Sequence, residues 1–537
     1  MKKLIFTLTC ILLAIPCQAR IIYVDWDGSG DYLTIQAAIN DANDGDTIIV
    51  ADGTYTGDGN RDIDFLGKAI TLRSTDPNDP NVVTGTIIDC QGSLEHPHRG
   101  FYLHNSEDAN SVLAGFTITN GVGHPIWRSG VLFSEGGAIF CDASSPTISQ
   151  CNITGNVAQL IDGGTNYWYG GCGGGIRCYG NSNPTIRNCT ITNNFAGGGH
   201  QNYGNGGGIS CSNSSPTIIC CTIADNSTPW SYSYHGGGGI FLSNSSIVSN
   251  CIISGNSSSH GGGIYSQGNN VIVTNCTFNC NSSHWGGGGI YLTANSTVTN
   301  CIFWDDMPNE ILVTGGWSPA ITYSDIQGGW LGVGNIDVYP CFADPCSGDY
   351  HLQSEASRWD PNSQSWVLDN GTSPCIDAGN PGCPLGDEPA PNGNRRNMGA
   401  YGGTVEASKP PTYWRSIADM TNDWIVDSND LKVFVGYWLE TGECIPSDLN
   451  RSQSVDFNDF AIFGLQWSYP SVFEPGMTFQ IDDCNMEAGL NWTAAAESNE
   501  PRFSVWVEGR YIHFEDSMYA NCCPFELWLE KEINGNQ

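Results

Sequence analysis

The feature that most constrains this chain is a phrase repeated between Gly136 and Asp306. Each copy opens on a glycine run and an apolar pair, as in Gly136-Gly137-Ala138-Ile139-Phe140 and Gly173-Gly174-Gly175-Ile176-Arg177, and later copies begin at Gly206, Gly237, Gly261 and Gly287. A second phrase follows, Thr185-Ile186-Arg187-Asn188-Cys189-Thr190-Ile191-Thr192-Asn193-Asn194 in one copy and Val298-Thr299-Asn300-Cys301-Ile302-Phe303 in the last. The two phrases keep their spacing while the interval between copies varies, so the variable length falls after Asn194-like positions, in loops at one corner. Short alternating β-rich phrases at such a period, with glycine and Ser-Pro turns between them, specify stacked coils of parallel sheet.

Aligning the copies stacks like on like. Gln150, Asn188, Cys220, Asn250, Asn275 and Asn300 form one column and Cys151, Cys189, Cys221, Cys251, Cys276 and Cys301 the next. Ile153, Ile191, Ile223, Ile253, Phe278 and Phe303 form an apolar column, and Asn156, Asn194, Asn226, Asn256, Asn281 and Asp306 close each coil. Strands about 4.8 Å apart let stacked amides bond to the copies above and below, which satisfies buried polar groups at every turn. The pattern resembles the right-handed parallel β-helix proteins of pectate-lyase-like architecture, over residues 20–403. Tyr32 to Ile39 reads as a short helix capping the first coil. Asp27-Gly28-Ser29-Gly30-Asp31-Tyr32 resembles the opening of pectin methylesterases, although the paired aspartates and arginine motif of those esterases do not follow. Tyr323-Ser324-Asp325, Ser373-Pro374-Cys375 and Asn397-Met398-Gly399 resemble the terminal segment of bacterial β-helix proteins, which caps the last coil.

Formal charge is −35, from 20 basic and 55 acidic residues. Such a surface repels nucleic acid and anionic membrane and suits cations or neutral glycans. Lys2, Lys3, the apolar run Leu4 to Ile15 and Cys17-Gln18-Ala19 read as a signal peptide over residues 1–19, so the chain is expected to be secreted, either free or attached to a cell surface. No later stretch is long and apolar enough to span a bilayer. Of the 23 cysteines, the stacked ones fill interior positions as small apolar residues, and Cys341 with Cys346, Cys375 with Cys383 and Cys522 with Cys523 are candidate disulfides.

The corner loops carry Tyr167, Trp168 and Tyr169, then His200 and Tyr203, then Trp230, Tyr232, Tyr234 and His235, then His260, then His284 and Trp285. Loops at one place in successive coils line up along one edge, and aromatic faces stack on sugar rings, so these residues are candidate carbohydrate contacts; packing of the loops on each other is the other reading. If the chain is an enzyme, the fold resemblance implies a polysaccharide lyase or glycosidase. A lyase needs a base, commonly arginine or lysine, and calcium beside a uronate carboxylate. Arg177 takes the outward position that Phe140, Ser210, Phe241, Tyr265 and Tyr291 fill in sister coils, and Arg187 lies on the next strand. For a glycosidase, Asp305, Asp306, Asp162 and Glu135 are the acids in or near the loops. No glycine run is followed by the Lys and Ser or Thr of a phosphate loop.

Residues 404–415, with Lys409-Pro410-Pro411-Thr412, read as a linker. In residues 416–470 two related segments follow. Asp419, Thr421, Asp423, Asp427 and Asp430 in the first, and Asp448, Asn450, Ser452, Asp456 and Asp459 in the second, place oxygens at positions 1, 3, 5, 9 and 12 of an EF-hand-like loop for Ca2+. Each runs into an apolar helical pattern. The duplication resembles a type I dockerin, which implies attachment to a cohesin-like domain. Position 6, normally glycine, is Trp424 or Gln453. Residues 471–537 form a small β-rich segment.

The expected architecture is therefore an all-β right-handed parallel β-helix, a small α-helical dockerin-like module and a β-rich end. The expected role is binding of a polysaccharide, uronate-containing or other, with or without cleavage; a non-catalytic adhesion protein that presents its repeats to a partner is the alternative.

Overall fold

The computed structural model describes residues 19–128, 131–160, 169–198, 203–229, 236–412, 414–467, 478–480, 502–508 and 511–517. Of the expected signal peptide only Ala19 is among them. Three long parallel sheets, of eight, 11 and ten strands, wall a parallel β-helix. One coil runs through Ile139–Asp142 on the eight-stranded sheet, Thr147–Ser149 on the 11-stranded sheet and Asn152–Thr154 on the ten-stranded sheet. The next coil lays Ile176–Tyr179, Thr185–Arg187 and Thr190–Thr192 on these in parallel register. The interior is a set of stacked columns: Ile153, Ile191, Ile223, Ile253, Phe278 and Phe303 are fully buried, and the last two rings stack at 4.3 Å. The cysteine column behaves as small apolar filling, each thiol bonding weakly to carbonyls, as Cys189 does to Arg187 at 3.3 Å.

The two amide columns do different work. Gln150, Asn188, Cys220, Asn250, Asn275 and Asn300 have φ between 48° and 57°, the left-handed turn that joins two walls of the coil. Asparagine tolerates that conformation better than most residues, so this column is chosen for backbone rather than for a side-chain ladder. Asn156, Asn194, Asn226, Asn256 and Asn281 form the ladder. Each donates Nδ2–H to Oδ1 of the next at 2.9–3.1 Å, and the last donates to Asp306 at 2.8 Å. Each also donates to a carbonyl of the preceding coil, as Asn226 does to Ile191 at 2.8 Å. The glycine runs are structural for the same kind of reason. Gly206 has φ +63°, and a Cβ on Gly207 would lie 2.5 Å from the carbonyl oxygen of Gly238 in the next coil.

Helix α1 (Ile35–Asp41) caps the first coil with Ile35, Ala38 and Ile39 buried, and α2 (Pro80–Gly85) is capped by Asp79, which accepts from the Asn81 amide. At the other end, Asn250 donates to the Ala400 and Gly402 carbonyls and Asn275 to that of Asn397, which fastens the terminal segment to the coils. The segment expected as a linker is packed down: Ala407 and Ser408 are buried, and Ser408 donates to the Leu352 carbonyl. Helices α3 (Ser428–Gly436) and α4 (Phe457–Leu465) pack through Leu431, Phe434 and Phe463. Their module is bonded to the cap through Arg395 to Ser416, Asn422 to Gly334 and Ala378, and Asn380 to Cys444. The cysteine pairing differs from expectation. Cys383 is bonded to Cys444, while Cys375 is buried beside Asp325, Cys341 and Cys346 form no disulfide among the described residues, and Cys522 and Cys523 lie outside them. Sequence neighbours were the wrong guide, because the fold brings the module's own loop onto the cap. In the β-rich end, Thr478–Gln480, Arg502–Glu508 and Tyr511–Ser517 form a three-stranded antiparallel sheet.

Candidate functional site

The outward column of the eight-stranded sheet runs Tyr102, Phe140, Arg177, Ser210, Phe241, Tyr265, Tyr291, Leu312 in continuous register. The corner insertions cover much of it. Leu132 pairs with Tyr169 and Gly170 with Tyr203, so the insertions stack as a four-stranded sheet of their own. Beneath it lies an ion cluster. Glu135 is fully buried and accepts from Arg128 Nε at 2.9 Å, while Arg177 Nη2 reaches Glu135 at 3.3 Å and its Nη1 donates to Ser210 and Ser212 at 2.9 Å. Arg128 also reaches Asp142 at 3.3 Å and lies over the Tyr179 ring at 3.7 Å. Arg99 sits over Tyr102 and Phe140, and burial pulls its guanidinium down to about 10.

Arg177 thus keeps its expected outward place but is 3% exposed and held against a buried carboxylate. An arginine so paired stays charged; in this geometry it is an electrostatic partner of Glu135, not a free base. Arg187 is exposed on the 11-stranded sheet, so the two guanidiniums do not share a face. Among the candidate acids, Asp305 is exposed and Asp306 is buried at the end of the amide ladder beside Glu310, whose carboxyl burial pushes up to about 7. Asp162 lies outside the described residues. Arg99, Arg128 and Asp142 gave no sequence signal, because they precede or flank the repeats and their meeting depends on how the first insertion folds back.

Of the aromatic candidates, Tyr167, Trp168, Trp230, Tyr232, Tyr234 and His235 lie outside the described residues, as does His200. Tyr169 and Tyr203 are placed by their backbone on the corner sheet. His284 and Trp285 are exposed and meet edge to face at 4.5 Å, and His260 is buried against Tyr291 at 5.1 Å. Trp127, from the same corner in an early coil, is 58% exposed, against 47% for Trp285. It escaped the sequence reading because its coil is divergent.

The two tail loops have one backbone skeleton. Asp419 accepts from the Asp423 and Trp424 amides, and Asp448 from those of Ser452 and Gln453. Asp430 accepts from Thr421 and Asp427, and Asp459 from Asn450 and Asp456. Asp427 and Asp456 cap α3 and α4. Trp424 and Gln453 adopt φ +74° and +68°, the turn that glycine usually supplies. Asp419, Asp423 and Asp430 bring one carboxylate oxygen each within 4.8 Å of the others. Burial pushes the Asp430 carboxyl up to about 6, with Asp419 adding to it. Oxygen donors in this number fit a calcium ion, and the first loop converges more carboxylates than the second, where Asn450 and Ser452 stand.

Residues 137–326 match the family model described as right handed beta helix region, and residues 320–379 match one described as disaggregatase related. Over residues 137–326 that match agrees with the stacked parallel coils of the fold, a right-handed parallel β-helix. Among solved structures it is similar to pectate lyase Pel9A at 15% identity, with TM-score 0.40, covering 71% of this chain and 96% of that one. It is also similar to pectin methylesterase from carrot at 13% identity, with TM-score 0.25, covering 55% and 83%. No curated protein matches the chain. No helix among the described residues is long and apolar enough to cross a membrane.

Proposed function

We propose that this chain is an exported β-helix protein that binds polysaccharide along its insertion-bearing edge and carries a calcium-dependent, dockerin-like attachment module. The observation that carries the first half is the pair of exposed tryptophans, Trp127 and Trp285, on corner insertions at the two ends of one edge. Indoles at such exposure present an apolar face to water, and a flat sugar face is a suitable cover. The backbones of Tyr169 and Tyr203 lie on the corner sheet of the same insertions.

A panel of neutral and uronate glycans tests this. The chain is expected to bind at least one, and Trp127→Ala with Trp285→Ala to weaken binding by roughly tenfold or more, as loss of two aromatic contacts implies, with an unchanged melting temperature. Unsaturated products would add lyase activity, and new reducing ends without them would add hydrolysis. Binding to no glycan would leave the adhesion reading.

The module is tested separately. Calcium is expected to raise the melting temperature, by about 2.7 kcal/mol of added stability at one hundred times its dissociation constant. Asp430→Asn should remove most of that gain and Asp459→Asn less. Equal losses from the two variants would contradict the assignment of the stronger site to the first loop; no calcium effect would remove the calcium reading, and with it the support for a cohesin-like partner.

A further inference from the structure

Three side chains from the earliest coils meet at one point that neither the glycan edge nor the tail loops use. Asp62 lies in a bend with φ +50°, His98 precedes the strand Phe101–Leu103, and His124 opens the strand His124–Arg128. His98 Nδ1 is 2.6 Å from Asp62 Oδ2, and His124 Nε2 is 3.2 Å from Asp62 Oδ1. One ligand atom from each residue lies within 4.8 Å of the other two. The side chains are 36%, 27% and 39% exposed for Asp62, His98 and His124. The site is therefore walled by protein yet open on one side.

Its geometry is fixed by the backbone. Asp62 N donates to the Arg99 carbonyl at 2.6 Å, and Arg99 N donates back to Asp62 Oδ1 at 3.0 Å. The His98 carbonyl accepts from Val122 N at 2.7 Å, two residues before His124. The imidazoles meet edge to face at 6.2 Å, so both rings direct nitrogen at one carboxylate instead of stacking. A half-exposed carboxylate is satisfied by one imidazole and water; two rings from remote segments, converging with an amide that orients the acceptor, exceed that need.

We propose that Asp62, His98 and His124 bind a divalent transition-metal cation of the zinc type, with the remaining coordination left to water or to an oxygen of a bound ligand. Two imidazoles and one carboxylate suit zinc or ferrous iron and not calcium, which takes oxygen ligands. Tetrahedral bonds of about 2.0–2.1 Å place ligand atoms about 3.3 Å apart; the imidazoles now contact different oxygens of Asp62, at 2.6 and 3.2 Å, so an ion would seat by a turn of the carboxylate and an adjustment of the two rings. The cationic groups nearby are Arg99, buried on one side, and Arg61, which is held by Asp58 and the Cys90 carbonyl, while Asp89 faces the adjoining cleft. Both guanidiniums oppose a cation, so the ion must be held by the three ligands themselves. Beside the site is a cleft of about 390 Å³ lined in part by Asp89, Gln91, Gly92, Asn120 and Val122. Its wall is continuous with the site, since a Cβ on Gly92 would lie 2.7 Å from the His98 carbonyl oxygen.

The test is titration of the full chain with Zn2+ in excess Ca2+, against a competing chelator. One equivalent is expected to resist calcium. His98→Ala and, separately, His124→Gln should each weaken it by roughly 100-fold or more, because even an outer-shell partner is worth 10–100-fold. Both side chains are part-exposed, and circular dichroism and melting temperature should stay near those of the parent. Co2+ in place of zinc should give visible bands without thiolate charge transfer. Zinc bound equally well by the variants, no calcium-resistant equivalent, or a thiolate band placing the metal on cysteine would each overturn the proposal.

Discussion

Asn226→Ala is expected to lower the unfolding free energy by on the order of 4 kcal/mol, far more than any surface substitution in the chain. The side chain accepts from both N and Nδ2 of Asn194 and donates to the Ile191 carbonyl and to Asn256 Oδ1, all at 2.8–3.1 Å. Alanine leaves those partners buried and unsatisfied, where no water reaches them, and opens a gap between two coils. Asn226→Asp should be no better, since a carboxylate cannot make the two donations. Asn250→Ala is the matched control: its amide holds two cap carbonyls at 2.8 and 3.0 Å but lies in the turn column, at a half-buried position. It should cost about 1–2 kcal/mol, through the left-handed backbone and those two bonds. Urea unfolding of the three variants decides it, and a loss below about 1 kcal/mol for Asn226→Ala would mean that the ladder is decoration.

In chelator, the chain is expected to be most stable near pH 5 and to lose stability steadily toward pH 8. Glu310, Asp325, Asp377 and Glu388 are each pushed up to about 7, in every case first by burial. Their unfolded values lie near 4. Between those limits the fold binds protons that the unfolded chain has released, so stability falls as pH rises through the window and is fully present below it. At about 1.4 kcal/mol for each pH unit over which one group is protonated only in the fold, even one of them moves the melting temperature by several degrees. Against its burial, Asp46 is held low by the Asn43 and Arg20 amides and the Arg20 guanidinium, so acid below about pH 4 costs stability and sets the lower edge. Glu388→Gln keeps acceptance from Asn397 N and Gly403 N at 2.8 Å and should flatten part of the slope. A melting temperature that rises from pH 5 to 8 in chelator would contradict the burial of these acids. Calcium must be absent, because a cation at Asp430 acts in the opposite sense.

The coils were legible because their physics is local and repeated. A residue such as Ile191 or Asn226 meets its own counterpart one period away, so the alignment of copies is already a contact map. The difference between the two amide columns was not legible, since asparagine serves a left-handed turn and a ladder equally well and only φ separates Asn188 from Asn194. Sites made by chance meeting of unrelated segments left little trace. Asp62 is anonymous in the sequence, and the sole hint of its partners is the pair of His-Pro steps at His96-Pro97-His98 and His124-Pro125. The packed segment 404–415 misled for a related reason: proline and lysine mark a linker by composition, but its Ser408 and Trp414 bonds are to residues far away in the chain.

The ladder also has a direction and an end. Every rung passes a donor forward, from Asn156 through Asn281, and the final acceptor is a carboxyl, Asp306, whose Oδ2 is buried with no hydrogen-bond partner among the described residues. A stack of identical coils is a polymer that could in principle keep adding monomers, either from its own chain or from a second molecule arriving end to end. Asp306, with Glu310 bonded to its amide, ends the side-chain ladder: it receives the last rung and offers no amide to begin another. The ladder ends there but the stack does not: one further coil, Ile311–Val313, Ala320–Thr322 and Asp325–Ile326, is laid on the three walls by backbone pairing, with no rung of its own.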